Sequence, residues 1–132
     1  GHGMRHLLDA HTVIWALDDP SRLGARARSV REDPANDLVV NVGTIWELAI
    51  KTGLGKLSLS LPYRQWVERA LSDLGLAVSP ITVEFTERQM ALPFHHRDPF
   101  DRLLVAQCLV ETIPLVSADS VLDQYGVTRL WD

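Results

Sequence analysis

The segment that decides the fold of this chain is His95-His96-Arg97-Asp98-Pro99-Phe100-Asp101-Arg102-Leu103-Leu104-Val105-Ala106-Gln107. Asp98 followed by Pro99 is a helix-start signal, because an Asp side chain accepts a hydrogen bond from a free helical N–H and Pro fits the first helical position. From Leu103 to Val110 only Gln107 is polar, and a helix that is apolar on nearly every side is normally buried on more than one face. We therefore predict a central helix that begins at Pro99.

Asp101 lies in the first turn of this predicted helix. The helix macrodipole favours an anion at that position, and a side chain in the first turn lies at the mouth of the fold rather than in its core. This is a natural place for a metal-binding carboxylate.

The composition is that of an ordinary globular protein. The chain has 132 residues, of which 46% are hydrophobic and 23% charged, and we assign residues 4–132 to a single domain. No run approaches the ~18 apolar residues that a membrane span needs. The net charge of −4 argues against a protein that holds nucleic acid by a basic face, so action on a polyanion would require an added cation.

The N-terminus and the single cysteine indicate the compartment. The N-terminal residues show no secretory signal pattern, and Cys108 has no partner for a disulfide within the chain. We therefore expect a cytoplasmic protein. Residues 1–3 are interpreted as a remnant of an expression tag, with the native start at Met4.

Short apolar runs alternate with helical patterns along the chain. Strands are predicted at residues 5–8, 37–42, 76–80, 114–117 and 127–131, and helices at about 12–17, 21–33, 44–51, 66–74, 82–92, from 99, and at 121–125. This alternation predicts an α/β fold: a doubly wound, mostly parallel five-stranded sheet with helices on both faces.

Two segments carry more specific predictions. The second helix is expected to be capped by Ser21 and to carry an arginine-rich face, interpreted as solvated, that contains Arg22, Arg26, Arg28 and Arg31. Residues 57–61 alternate between Leu and Ser, which predicts a short extended segment, either an arm or part of the core.

Four carboxylates are expected at one edge of the sheet, because ligands of an open parallel sheet bind outside the carboxyl ends of the strands. Asp9 follows the first strand, Glu47 lies one helical turn past the second, Asp101 opens the central helix and Asp119 follows the fourth strand. Carboxylates gathered within a few ångströms repel one another, and a hard divalent cation relieves that repulsion. The pattern predicts a site for Mg²⁺ or Mn²⁺.

Each of these residues also has a purely structural interpretation. Thr44 to Glu47 matches a capping box, and Glu47 with Lys51 forms a favourable i,i+4 pair. Asp9, Asp98 and Asp119 could each cap a helix. Only their joint placement at strand ends favours a site over a set of caps.

Other residues near this edge receive structural interpretations. The histidines are His11, His95 and His96, which we interpret as loop or core residues. The tryptophans are Trp15, Trp46, Trp66 and Trp131, which we interpret as core or half-buried helix residues. Arg97 and Arg102 flank the acidic site and could meet a phosphate, although solvated arginine is the default.

Four stretches in order resemble the motifs of the PIN domain family, specifically VapC-type toxins of bacterial toxin–antitoxin pairs. They are Leu7-Leu8-Asp9-Ala10-His11, Thr44-Ile45-Trp46-Glu47-Leu48-Ala49-Ile50-Lys51, the stretch from His96 to Gln107, and Val116-Ser117-Ala118-Asp119. The resemblance spans Arg5 to Trp131.

This resemblance implies a divalent-metal-dependent ribonuclease that a cognate antitoxin keeps inactive. It places the acidic, metal-binding quartet on Asp9, Glu47, Asp101 and Asp119, with Ser117 in support. RNA is the implied substrate, the antitoxin the implied partner and a homodimer the expected assembly, with no membrane association. Trp15 and Trp46, on helices flanking the acidic edge, are candidate contacts for the antitoxin.

Three other readings share the acidic pocket. A receiver-like domain would need a lysine after the last strands, but the only lysines are Lys51 and Lys56. A haloacid-dehalogenase-type phosphatase would need a second Asp two residues after Asp9, where His11 stands. A non-catalytic binding module whose carboxylates are caps remains open.

Overall fold

The computed structural model describes residues 3–132, which form a sheet of short strands joined by helices. The strands are β1 (Arg5–Leu8), β2 (Asp37–Asn41), β3 (Ala77–Ser79), β4 (Leu115–Val116) and β5 (Arg129–Leu130). The α-helices are α1 (Ala10–Asp18), α2 (Ala25–Glu32), α3 (Val42–Gly53), α4 (Tyr63–Asp73), α5 (Val83–Met90) and α6 (Pro99–Glu111). Two 3₁₀ segments, Pro20–Arg22 and Ser120–Tyr125, complete the elements of the described chain.

The five strands form one parallel sheet in the order β3-β2-β1-β4-β5. The central strand β1 pairs with β2 on one side, where Leu7 lies opposite Val39, and with β4 on the other, where Leu7 lies opposite Leu115. Because all pairs are parallel, every strand presents its carboxyl end to the same edge. The predicted α/β class with a five-stranded parallel sheet is confirmed.

The sheet separates two apolar cores, because alternate residues of a strand point to opposite faces. Leu8, Val40 and Val116 pack with residues of α1 to α4 in one core. The residues next to them in the chain, among them Leu7 and Leu115, pack with α6 and the second 3₁₀ segment in the other core. Helices therefore cover both faces, as predicted.

Helix α6 is the buried centre of the second core. All residues from Leu103 to Cys108 are buried, and the helix begins at Pro99 with Asp98 as its cap. The Asp98 carboxylate accepts hydrogen bonds from the Phe100 and Asp101 N–H groups. The predicted start and burial of the central helix are confirmed.

A small polar network around Gln107 crosses the junction between the sheet and α6. The Asn41 side chain, fully buried at the end of β2, donates from Nδ2 to the Gln107 Oε1 over 2.8 Å, and its Oδ1 accepts from the Gly43 N–H. Gln107 Nε2 donates to Ser79 Oγ over 2.9 Å and to Glu111 Oε1 over 2.8 Å. Gln107, the only polar residue between Leu103 and Val110, thus joins α6 to β3 and to the start of α3.

The predicted start of the second helix was wrong. Ser21 does not cap a helix: residues Pro20–Arg22 form a separate 3₁₀ turn, α2 begins only at Ala25, and Gly24 is its N-cap. The Ser21 hydroxyl donates instead to Asp19 Oδ1. Helix α2 begins later than predicted because the carbonyl oxygen of Trp131, a residue distant in the chain, accepts a hydrogen bond from the Arg26 N–H.

Residues 57–61 form no strand. Their leucines, Leu57, Leu59 and Leu61, are half-buried and pack against the first core. The alternation of Leu and Ser therefore reflects a loop that covers the core with one side, which is the core alternative of the prediction.

We predict that Asn41→Ala destabilises the protein by about 2–4 kcal/mol, because it removes the cap of α3 and leaves the buried Gln107 carbonyl without its donor. Urea unfolding followed by circular dichroism measures the change. Asn36→Ala is the matched control, since half-buried Asn36 donates only one side-chain hydrogen bond, to the Val30 carbonyl. An equal loss in both variants would show that the network does not hold α3 and α6 together.

Candidate metal-binding active site

Two of the predicted acidic residues lie at helix starts directly after strands. Asp9, 7% exposed, caps α1: its Oδ1 accepts from the Thr12 N–H and the Thr12 hydroxyl. Asp119 caps the second 3₁₀ segment by accepting from the Val121 N–H, and its own N–H donates to Ser117 Oγ. Both structural interpretations are therefore true, yet each cap occupies only one carboxylate oxygen.

Asp101 differs from Asp9, Asp98 and Asp119 because its carboxylate caps no helix. Its side chain is 21% exposed, and burial raises its pKa to about 7, with further upward contributions from the charges of Asp98, Asp9 and Glu47. Only His96 acts in the opposite direction. Asp101 therefore lies where the acidic residues of three elements converge.

Glu47 does not belong to a capping box, so that interpretation was wrong. Asn41 caps α3, which begins two residues before Thr44, and the Thr44 hydroxyl is buried without a hydrogen-bond partner. Glu47 is 4% exposed, and its Oε2 accepts from Lys51 Nζ over 2.6 Å, the predicted i,i+4 pair.

The ion pair only partly compensates the burial of Glu47. Burial raises the pKa of Glu47, the hydrogen bond and charge of Lys51 lower it, and the charges of Asp98 and Asp9 raise it, with a net upward shift. For Lys51, burial lowers the pKa, but Glu47, Asp98 and Asp101 outweigh it, so that the net shift is also upward. The raised pKa of Lys51 is that expected of one cation beside several carboxylates, whereas burial is the main cause of the raised pKa of Glu47.

His96, which we interpreted as an ordinary loop residue, lies between two of the predicted acids. Its Nε2 is 2.9 Å from Asp119 Oδ2 and 3.4 Å from Asp101 Oδ2, and its Nδ1 accepts from the Asp98 N–H. Ligand atoms of His96, Asp101 and Asp119 lie within 4.8 Å of one another. Its position two residues before the helix cap Asp98 was the signal in the sequence that could have found it.

The structure thus brings the predicted residues together in two overlapping groups. Asp9 and Glu47 are charge neighbours of Asp101, whereas Asp119 is in contact with His96, which is in turn close to Asp101. Asp101 belongs to both groups. Asp9 and Glu47 are not part of the compact group that contains His96.

Arg102 does not flank the acidic site as a phosphate contact. It is 4% exposed, and its guanidinium donates to the carbonyls of Pro93, Gln89 and Leu92 and to the Tyr125 hydroxyl. Its function is to hold the loop before α6 against the second core. Arg97 is exposed, as the default interpretation predicted.

A hard divalent cation fits the carboxylates at this edge. Among residues 3–132, Asp9 Oδ2, Glu47 Oε1 and Asp98 Oδ2 accept no hydrogen bond, while the second oxygen of each group is occupied by a cap or by Lys51. Carboxylate oxygens are the ligands that Mg²⁺ and Mn²⁺ prefer. The positive charge of such a cation would offset the repulsion between carboxylates that contributes to the raised pKa of Asp101.

An apolar groove of about 330 Å³ adjoins the acidic residues. It is lined by Trp46 and Phe100, which directly precede Glu47 and Asp101, together with Ile81 and Leu103. Trp46 is 61% exposed and meets Phe100 edge-on at 5.6 Å, so its interpretation as a core or half-buried residue was wrong. Trp15 and Trp131 are half-buried and Trp66 is buried, as expected.

The chain belongs to the PIN domain family. The sequence profile of that family matches residues 6–127, a range that includes all four predicted acidic residues.

Individual relatives agree with this assignment. Ribonuclease VapC22 of Mycobacterium tuberculosis is 29% identical over 124 residues, which cover 93% of each chain. Among solved structures, VapBC2 from Rickettsia felis, bound to a promoter DNA fragment, has a TM-score of 0.71 at 14% identity and covers 98% of this chain and 100% of its own. FitAcB from Neisseria gonorrhoeae has a TM-score of 0.63 at 13% identity, covering 94% of this chain and 95% of its own.

We predict that Asp101→Asn stabilises the metal-free protein at neutral and higher pH. Because the pKa of Asp101 lies near 7 in the folded state and near the ordinary value of 3.8 in the unfolded state, the folded state binds more protons between these values. The free energy of unfolding of the wild-type protein therefore falls as pH rises through this window. The variant has no carboxylate at this position to lose a proton, so we expect it to be more stable than wild type by about 1–3 kcal/mol above pH 7.

Thermal melting in EDTA at pH 4 and pH 8 measures the effect. Glu87→Gln makes the same chemical change at an exposed position of α5 and is the matched control. An Asp101→Asn variant that is less stable than wild type at pH 8 would show that the carboxylate supports the fold.

Proposed function

We propose that this protein is a divalent-metal-dependent endoribonuclease, which hydrolyses phosphodiester bonds of RNA at the carboxyl edge of its sheet. The observation that carries the proposal is Asp101, a carboxylate that caps nothing, is largely buried, and lies among Asp9, Glu47 and Asp98 with an upward-shifted pKa. Such crowding costs folding stability, and a bound cation explains why it is kept. Membership of the PIN family and the similarity to a protein named a ribonuclease support the same activity.

Asp9, Glu47, Asp101 and Asp119 are the proposed holders of Mg²⁺ or Mn²⁺. When bound, the cation lowers the pKa of a water molecule, offsets charge on the phosphoryl oxygens and stabilises the leaving oxygen. His96 holds the carboxylates of Asp101 and Asp119 in place through its Nε2. Lys51 binds one oxygen of Glu47 and leaves the other, Oε1, for the proposed cation.

The chain's own groups then orient the reaction. The caps fix Asp9 and Asp119 relative to β1 and β4, because each binds a backbone N–H in the turn that follows its strand. Asp101 caps no helix, so its carboxylate is left to hold the proposed cation and to accept a proton from the attacking water.

We predict that Asp101→Asn lowers Mg²⁺-dependent cleavage of single-stranded RNA by at least about 100-fold, the range found when a positioned proton acceptor is lost. The assay follows a labelled RNA on a denaturing gel, with EDTA and with Mg²⁺ or Mn²⁺ added. Asp73→Asn, an exposed carboxylate on α4, is the control that should retain activity. Cleavage that is unaffected by EDTA and by Asp101→Asn would favour the non-catalytic binding module.

We predict that Glu47→Gln weakens Mg²⁺ binding by about 10–100-fold, as expected for an altered metal-site group. The variant also loses the ion pair with Lys51, so Lys51→Met separates the two effects: it removes the pair but keeps the carboxylate. Isothermal titration with Mg²⁺ measures both. Equal affinity of Glu47→Gln and wild type would leave Glu47 as a structural partner of Lys51.

We further propose a cognate antitoxin as the inhibitory partner, with the apolar groove at Trp46 and Phe100 as its contact. An amphipathic helix would lay its apolar face there, and an arginine beside it would reach the carboxylates. VapBC and FitAB structures are among the similar folds. Trp15 is the weaker candidate contact, because it packs on Trp131.

We predict that Trp46→Ala weakens antitoxin binding by about 30-fold or more, the loss of about 2 kcal/mol typical of an exposed tryptophan anchor. Leu54→Ala, an exposed apolar residue at the end of the same helix but outside the groove, is the control. Calorimetry with the purified antitoxin measures both, and equal affinities would place the contact elsewhere.

The homodimer and the cytoplasmic location stay predictions. No helix of the described residues is both long enough and apolar enough to cross a membrane.

A further inference from the structure

A cationic and aromatic surface lies beside the acidic edge and takes no part in the site described above. We call it the α1 platform: His11, Trp15, Arg22 and Trp131. The Trp15 ring lies 5.4 Å from His11 and 5.7 Å from Trp131 between centroids, and the Arg22 guanidinium lies over it at 4.6 Å. His11 and Arg22 are exposed, whereas the two tryptophans are half-buried.

The platform is at the same edge of the sheet as the acidic residues. Asp9 caps α1, and His11 is the second residue of that helix. Trp131 directly follows β5, whose carboxyl end points to the same edge as that of β4, where Asp119 follows. A strand of RNA that places a phosphate at the carboxylates can therefore continue along the exposed side of α1.

The charge of the platform departs from that of the chain as a whole. The net charge is −4, yet the run from Pro20 to Arg31 contains four arginines and no carboxylate. Among residues 3–132, Arg22, Arg26 and Arg28 form no ion pair with a carboxylate. By contrast, the arginines of α4, Arg64 and Arg69, are paired within their own helix.

Arginines that form no ion pair, next to exposed or half-buried aromatic rings, fit single-stranded nucleic acid better than a folded protein surface. Bases stack on aromatic rings and on guanidinium planes, while free arginines attract phosphates. We propose that the α1 platform, continued by Arg26 and Arg28, binds the single-stranded RNA that flanks the cleaved phosphate. This inference rests on the proposed ribonuclease activity and deepens it, since it states where the substrate lies.

Fluorescence anisotropy tests the proposal with a labelled single-stranded RNA of about ten nucleotides, close to the site sizes of single-strand binders. The starting protein carries Asp101→Asn to prevent cleavage, and affinity is measured over a series of KCl concentrations. The variant that tests the platform, called the platform variant, adds Arg22→Gln and Arg26→Gln. The matched control adds Arg64→Gln and Arg69→Gln, which removes the same number of positive charges from α4.

The platform variant should bind RNA about tenfold or more weakly at low salt and should lower the slope of log K against log salt by about 1–2. The control should retain the slope of the starting protein. His11→Ala should weaken binding without changing the slope, because it removes a stacking surface rather than a fixed charge, and Arg22→Lys should fall between the starting protein and the platform variant. Thermal melting checks that each variant is folded.

Equal RNA affinity of the platform and control variants would overturn the proposal, as would the absence of RNA binding by the starting protein. If the platform variant instead loses only its affinity for the antitoxin, the surface docks a protein and the proposal is wrong. The proposed activity is judged separately, by cleavage of the same RNA by the wild-type protein with Mg²⁺. If the wild-type protein cleaves the RNA but the platform substitutions do not change RNA affinity, the proposed activity is supported and only the RNA-binding role of the platform is rejected.

Discussion

The hydrogen bond from Asn41 to Gln107 is the contact on which the arrangement of this protein depends. It is the point at which the sheet, α3 and α6 are joined by a directional interaction between fully buried side chains. Apolar packing alone would tolerate sliding of α6 along the sheet, because it has no preferred direction. A buried amide pair allows only one register, since any shift leaves donors and acceptors unsatisfied. Gly43 adds to this, because a Cβ there would lie 2.8 Å from a methyl group of Leu103.

The fixed register matters because α3 and α6 each carry an acidic residue of the proposed site. Glu47 lies one turn into α3, and Asp101 lies in the first turn of α6, so the distance between their carboxylates follows from how the two helices meet. The carboxylates raise one another's pKa values, which shows that folding brings them closer than their charges favour. The buried amide contact is therefore part of what holds together an arrangement that electrostatics opposes.

Three of the acidic residues show that capping a helix does not exclude a place in the proposed site. Asp9, Asp98 and Asp119 each accept a backbone N–H in a helix start. A carboxylate has two oxygens, and a cap uses one of them, so the same residue can fix a turn and still face a ligand. Whether a residue is a cap therefore says little about whether it belongs to a site. Asp101 is informative for the opposite reason: it stabilises no turn, and burial disfavours its charge.

The sequence by itself determined the alternation of strands and helices, the start of α6 and the edge at which the acidic residues meet. These depend on local signals: the Asp98-Pro99 start, the apolar runs and the position of each acid just after a strand. Because parallel strands share an edge, residues far apart in the chain could be placed together without coordinates.

Only the tertiary structure decided the contacts between segments that have no local signal. Asn41 caps α3 instead of Thr44, and the Asn41 side chain is fixed from its other end by Gln107. Helix α2 begins only at Ala25, because the Trp131 carbonyl oxygen accepts from the N–H groups of Arg26 and Ala27 in its first turn. Arg102 turned inward because four acceptors of the second core surround it. His96 came between Asp101 and Asp119 for the same kind of reason: its loop is held by Tyr125, a residue 29 positions away in the chain. Spacing in a sequence records neighbours along the chain, whereas hydrogen bonds across the core depend on how the elements pack.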